Sequence, residues 1–181
     1  MDPHALLAER YDTRTIVLHW LTAVLVVGVW VLGQVIDVFP KGVPRVTARS
    51  LHITGGTLLG LLLVYRIVWR AGPRSVRLPP ADAGWLGKLS TLTHFGLYIL
   101  LCAAVLAGLA NTWVRGDNLF NLVTLPAFDP GNSDLRETVE ELHELAANLL
   151  LLVAGLHALA ALVHHAVFRD DVMRRMGRRP R

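Results

Sequence analysis

Four long apolar stretches divide the chain, each bounded by charged or proline-containing segments. They run from about Thr15 to Ile36, Ser50 to Trp69, Ser90 to Asn111 and Asp134 to Phe168. A membrane-crossing helix needs about 20 mostly apolar residues, and each stretch supplies them. Pro40, Gly42 and Pro44 interrupt the first connection, and Pro73, Pro79 and Pro80 the second. The third connection, Thr112 to Leu142, is the longest and most acidic. Its end reads as the water-exposed start of the fourth helix. Asp134 followed by Glu137 resembles a capping box, and Glu137, Glu140, Glu141 and Glu144 suit the positive end of a helix macrodipole. No repeat with a period of about 20 to 50 residues is visible. The expected architecture is all-α: one integral membrane four-helix bundle made of residues 1–181.

Composition agrees. The chain is 53% hydrophobic, and its mean hydropathy is +0.45, above the soluble norm. The lone cysteine, Cys102, lies inside an apolar run, which excludes an internal disulfide and a cysteine-based metal site. The first apolar run is too long, and its flank too acidic with Asp2, Glu9 and Asp12, for a cleaved signal peptide. The basic residues sort by side. Arg10, Arg14, Arg70, Arg74, Arg77, Lys88, Arg169, Arg174, Arg175, Arg178, Arg179 and Arg181 fall on one side, against Lys41, Arg45, Arg49, Arg115 and Arg136 on the other. The positive-inside rule then places both termini in the cytoplasm of a multi-pass inner-membrane protein. This topology accounts for the net charge of +4 without a nucleic-acid partner. The basic tail also suits anionic lipid.

The candidate chemistry lies in the histidines. His143 and His157 are fourteen residues apart on the fourth helix. That is nearly four turns and about 21 Å, so both rings share one side at two depths. His52 matches the depth of His143. His19 and His94 lie near the depth of His157 on other helices. Ionisable residues inside membrane helices are functional by default. Two layers of them suit two non-covalent b-type haems, each needing two axial imidazoles. Covalent haem would require Cys-x-x-Cys-His, which is absent. In the outer layer only His52 and His143 are available. In the inner layer His157 pairs with either His19 or His94. The competing explanation is a set of satisfied polar residues or a proton path in a haem-free bundle. Gly55, Gly56, Gly155 and Ala158 beside the histidines leave room for a porphyrin, or simply for close helix packing. Trp20, Trp69, Trp85 and Trp113 read as interface anchors. Arg66 either snorkels to the surface or pairs with a haem propionate.

Several stretches resemble the prokaryotic cytochrome b561 family: Arg10-Tyr-Asp-Thr-Arg-Thr-Ile-Val-Leu-His19-Trp20, Leu51-His52-Ile-Thr-Gly-Gly56, His143-Glu-Leu-Ala-Ala-Asn148 and Gly155-Leu-His157. His164-His165, Asn118-Leu-Phe120 and Leu125-Pro126 are most similar to its superoxide oxidase branch. The resemblance implies two haem b groups in a four-helix bundle, with His52 and His143 ligating the outer one and His19 and His157 the inner one. His94 then becomes a neighbour of the inner haem, either on a proton or quinone path or in a structural polar role. The branch implies superoxide:ubiquinone oxidoreductase activity, with superoxide oxidised at the periplasmic face and ubiquinone as acceptor.

Superoxide is an anion, so a basic funnel would speed its arrival. Lys41, Arg45, Arg49 and Arg115 are the candidates, opposed by Asp117, Asp129, Asp134, Glu137, Glu140 and Glu141. Candidate proton relays are His94, His164, His165 and Asp170. The alternative function is an electron carrier for a dehydrogenase or hydrogenase, whose basic face would suit the acidic third connection.

Overall fold

A computed structural model of the chain describes residues 10–76, 78, 84–169 and 172–177. Four helices are long and apolar enough to cross a membrane: α1 (Thr13–Val35), α2 (Val43–Ala71), α3 (Gly84–Arg115) and α4 (Ser133–Val163). A two-stranded hairpin, β1 (Asn118–Leu119) with β2 (Val123–Thr124), lies between α3 and α4, and a short α5 (Val172–Arg175) follows. The α1–α2 and α3–α4 connections share what is termed here the upper end; the α2–α3 connection and the terminal segments share the lower end. Within the bundle α1 packs on α2 and α3 on α4, with α2 against α3. Leu59, Leu63, Leu101, Ala104 and Leu150 form its central core. Most other large apolar side chains face outward, as lipid requires.

Helices α2 and α3 run longer than the hydropathy pattern suggests. Pro44 does not stop α2. It sits in the first turn, where its missing N–H would have had no partner anyway, behind Gly42 at φ 99°. Helix α3 continues to Arg115. Gly116 then turns the chain at φ 66°, and the amides of Gly116 and Asp117 return to the carbonyls of Trp113 and Thr112. A Cβ at Gly116 would lie 2.8 Å from that of Ala127. Helix α4 begins differently from the expected capping box. Asn132, held by a turn from Asp129, is extended, and its Oδ1 accepts from the Leu135 amide at 3.0 Å. Asp134 lies inside the first turn. The tail of α4 widens into a π-helical turn, His164–Phe168, closed by Arg169 at φ 54°. Asp2, Glu9, Arg77, Pro79, Pro80, Asp170, Arg178, Arg179 and Arg181 lie outside the described residues.

One carboxylate organises the lower end. Asp12 caps α1, accepting from the Thr15 amide at 2.9 Å and the Thr15 hydroxyl at 2.7 Å. It also accepts from the Trp69 indole and the Val76 amide, both at 3.2 Å, which ties α1 to the end of α2. Arg14 stacks on Trp69, and Arg70 on Tyr11. The Trp20 indole donates to the Met176 carbonyl, so Trp20 and Trp69 hold chain segments together as well as lying at the helix ends.

Burial alone would raise the Asp12 pKa, but its bonds from Thr15, Val76 and Trp69 outweigh burial and hold it below the ordinary value. Its stabilising contribution is therefore complete above the ordinary carboxylate pKa and is lost as pH falls through the lowered one. Asp12→Ala should cost about 1–2 kcal/mol, the order of a lost helix cap, read as a Tm lowered by a few degrees in detergent. Asp12→Asn, which keeps an acceptor at the cap, should cost less and should flatten the loss of Tm in acid.

Candidate functional site

The histidines fall into two layers. In the upper layer His52 (α2) faces His143 (α4), with ring centroids 5.9 Å apart and planes at 82°. In the lower layer His157 (α4) lies 6.4 Å from His19 (α1) and 5.1 Å from His94 (α3). Two imidazoles sharing one metal need about 2 Å for each metal–nitrogen bond and about 1 Å more from each nitrogen to its ring centre, about 6 Å in all. The His52–His143 and His19–His157 separations match that distance. His94–His157 falls about 1 Å short.

Each upper ring is seated on a neighbouring helix in the same way. His52 Nδ1 lies 3.0 Å from the Val29 carbonyl of α1, and His143 Nδ1 lies 3.0 Å from the Ala104 carbonyl of α3. A carbonyl only accepts, so Nδ1 carries the proton and Nε2 keeps a free lone pair. That is the arrangement of a metal-ligating histidine, whose second nitrogen is oriented by an acceptor. Four residues after each carbonyl stands a glycine. A Cβ at Gly33 would meet the His52 ring at 3.0 Å, and one at Gly108 would meet the His143 ring at 2.9 Å. In a helix the residue at i+4 sits directly above carbonyl i, so only glycine there lets an outside donor reach that carbonyl.

This correspondence extends to the lower layer. His19 precedes Gly33 by fourteen residues on α1, and His94 precedes Gly108 by fourteen on α3. Arg66 follows His52 by fourteen on α2, and His157 follows His143 by fourteen on α4. The α1–α2 and α3–α4 hairpins therefore carry equivalent positions, without any sequence repeat to reveal it.

A cavity surrounds the upper pair, lined by His52, His143, Gly33, Gly56 and Gly108, with Arg49, Arg115, Asp117 and Glu140 at its rim. The buried Oδ1 of Asn111, also in its wall, has no hydrogen-bond partner among the described residues. A polar atom left in that state is an opening for a guest. The Trp30 indole donates to Asn148 Oδ1 at 2.9 Å across the α1–α4 seam of the same cavity. Of the glycines singled out from the sequence, Gly56 lines the cavity. Gly55 instead serves packing, since a Cβ there would meet Val29 at 2.9 Å, and Gly155 faces open space. Gly33 and Gly108 escape a sequence reading because their meaning depends on which helix lies beside them.

The four basic residues expected to form one funnel divide. Arg49 and Arg115 each lie 3.7 Å from the buried Asp117 between them, and Arg115 also pairs with Glu140 at 3.2 Å. Arg45 braces the α1–α2 connection through the Asp37 carboxylate and the Asp37 and Phe39 carbonyls. Lys41 is exposed beside it. Burial pushes the Asp117 carboxyl above the ordinary carboxylate range, against the pull of Arg115 and Arg49. Ser50, fully buried, places this rim: its hydroxyl accepts from the Phe120 amide at 2.8 Å and so docks the hairpin on α2. At the lower end His164 lies against Phe168, and His165 is exposed.

A sequence model described as prokaryotic cytochrome b561 matches residues 10–179. The chain is 29% identical over 170 residues to a probable superoxide oxidase, CybB, of Yersinia pestis, covering 93% of this chain and 96% of that one. It is 30% identical over 170 residues to cytochrome b561 homolog 1 of Escherichia coli K12, covering 93% and 97%, and 28% identical over 176 residues to homolog 2, covering 93% and 91%.

Valine at Gly33 or Gly108 would occupy the space of a histidine ring and should reduce the bound haem of the purified protein. Valine at Gly28, where a Cβ would meet nothing within 4 Å, should leave it intact. Haem-to-protein ratios for the three variants check the seating.

Proposed function

The chain belongs to the prokaryotic cytochrome b561 family of membrane haem proteins, and we propose that it is a di-haem superoxide:ubiquinone oxidoreductase of the bacterial inner membrane. In this reading His52 and His143 hold one haem b, and His19 and His157 the other. The observation that carries it is the upper pair, spaced 5.9 Å apart with both Nδ1 atoms engaged by carbonyls. The likeness to a probable superoxide oxidase supports the substrate. Haem b bound there would supply one-electron redox chemistry.

The remaining work falls to the chain. In this reading the upper end faces the periplasm, which the basic lower end supports through the positive-inside rule. Arg49 and Arg115 stand at the rim of the upper cavity, where a superoxide anion would arrive. Asp117 holds both guanidiniums in place and offsets part of their charge. Lys41 and Arg45 add positive charge further out. Two superoxide anions give up two electrons and leave as oxygen, and one ubiquinone takes two electrons and two protons. His94, His164 and His165 lie at the lower end, where protons would come from the cytoplasm. The exposed Asp129, Asp134, Glu137 and Glu141 favour a second reading, an electron carrier docked by a basic redox protein.

Two tests follow. The pyridine haemochrome assay should give two haems per chain, falling to one in His52→Ala and in His19→Ala but staying at two in His94→Ala. A ratio of one in the native protein overturns the two-site reading, and loss of haem in His94→Ala but not in His19→Ala reassigns the inner pair. In stopped flow, reduction by superoxide should slow as salt rises, since the Debye length shrinks to about 10 Å at 0.1 M. Arg49→Gln and Arg115→Gln should each lower that rate up to about tenfold at low salt. A rate that rises with salt favours the carrier with a basic partner.

A further inference from the structure

Arg66 is a cation within a membrane-spanning helix. It lies on α2 fourteen residues after His52, as His157 lies on α4 fourteen residues after His143. It therefore occupies the place in the lower layer that a histidine fills in the other hairpin. On α3 the Tyr98 ring that it meets lies one turn after His94, which sets the guanidinium beside that layer. Among the described residues no carboxylate meets it. Its neighbour is the Tyr98 ring, with the guanidinium carbon 5.4 Å from the ring centre. Asp12, the acid that organises this end, is already engaged by Thr15, Trp69 and Val76. A charge within a bilayer needs a counter-charge or a path to water, and the described chain offers Arg66 no anion.

We propose that Arg66 is an anion-binding residue of the lower site, held by Tyr98 and completed by a propionate carboxylate of the haem that His157 ligates. This rests on the reading of a haem in the lower layer. The guanidinium fork matches a carboxylate with two parallel hydrogen bonds. The difference between the two hairpins then has a purpose: one helix supplies an iron ligand, and its counterpart supplies charge for the cofactor's edge.

A nearby cation disfavours the oxidised haem, which carries one more positive charge, and it keeps the propionate ionised. The test is a redox titration of Arg66→Gln and Arg66→Lys in lipid-free detergent, over a range of pH, with haem content measured on the same samples. Arg66→Gln should lower the potential of one haem and leave the other unmoved. The lowered potential should also gain a pH dependence, as the unpaired propionate begins to titrate in the working range. Arg66→Lys should keep a potential close to native. Loss of one haem in Arg66→Gln with retention in Arg66→Lys also supports the proposal, because charge is then what holds the group. Unchanged potentials in Arg66→Gln overturn it and leave Arg66 as a residue reaching lipid phosphate. Equal loss of haem in both variants overturns it in favour of a packing role. A native protein holding only the upper haem overturns the lower-site reading itself, and the haem ratio identifies that case separately.

Discussion

A neutral imidazole inside a membrane helix carries one donor and one acceptor, and hydrocarbon satisfies neither. In the upper layer the donors are satisfied by the backbone: His52 by Val29 and His143 by Ala104. The acceptors are left over, facing each other across a cavity. A hydrogen bond of this kind is worth only about 1 kcal/mol in a membrane. It selects the tautomer but is weak for fixing a ring. Shape supplies the rest, because Gly33 and Gly108 leave each ring a slot that any larger residue would close. The bundle has to keep four helices in register for these contacts to coincide, and much of its architecture serves that register.

The ends of the bundle show how. Asp12 bonds the start of α1 to the end of α2 and so fixes the level at which His19 sits. Ser50, two residues before His52, docks the hairpin whose first strand follows Asp117. Through Asp117 the hairpin in turn fixes Arg49 and Arg115. Arg49 and His52 thus share one short segment of α2, and a change in the hairpin would be felt at both.

Much of this was legible in the sequence, and the remainder divides by physical cause. Four spans followed from hydropathy, since the bilayer imposes a length that a count can detect. Layered histidines followed from a spacing near four turns, because rise and periodicity are properties of a single helix. Contacts between helices did not follow. Gly33 and Gly108 look like any small residues until α2 and α4 are placed beside them. The equivalence of the two hairpins was hidden too, being a matter of spacing within helices and not of repeated residues. Asp117 shows in the sequence only as one of several acids opposing the basic residues, not as the one that sits between Arg49 and Arg115. Its burial between two arginines depends on Gly116 turning the chain there. The capping box was misread because Asp134 and Asn132 are both good caps, and the preceding turn at Asp129 decides between them.

In the proposed di-haem reading each layer's pair of imidazoles shares a metal, and the planes of the two pairs are strongly crossed, at 82° and 69°. Low-temperature electron paramagnetic resonance of the oxidised protein tests this most directly. The account predicts two low-spin ferric species in equal amount, both with the strongly anisotropic signals of crossed imidazole planes, one of them absent in His143→Ala. A single species, or a high-spin signal from an iron with one histidine, would contradict it.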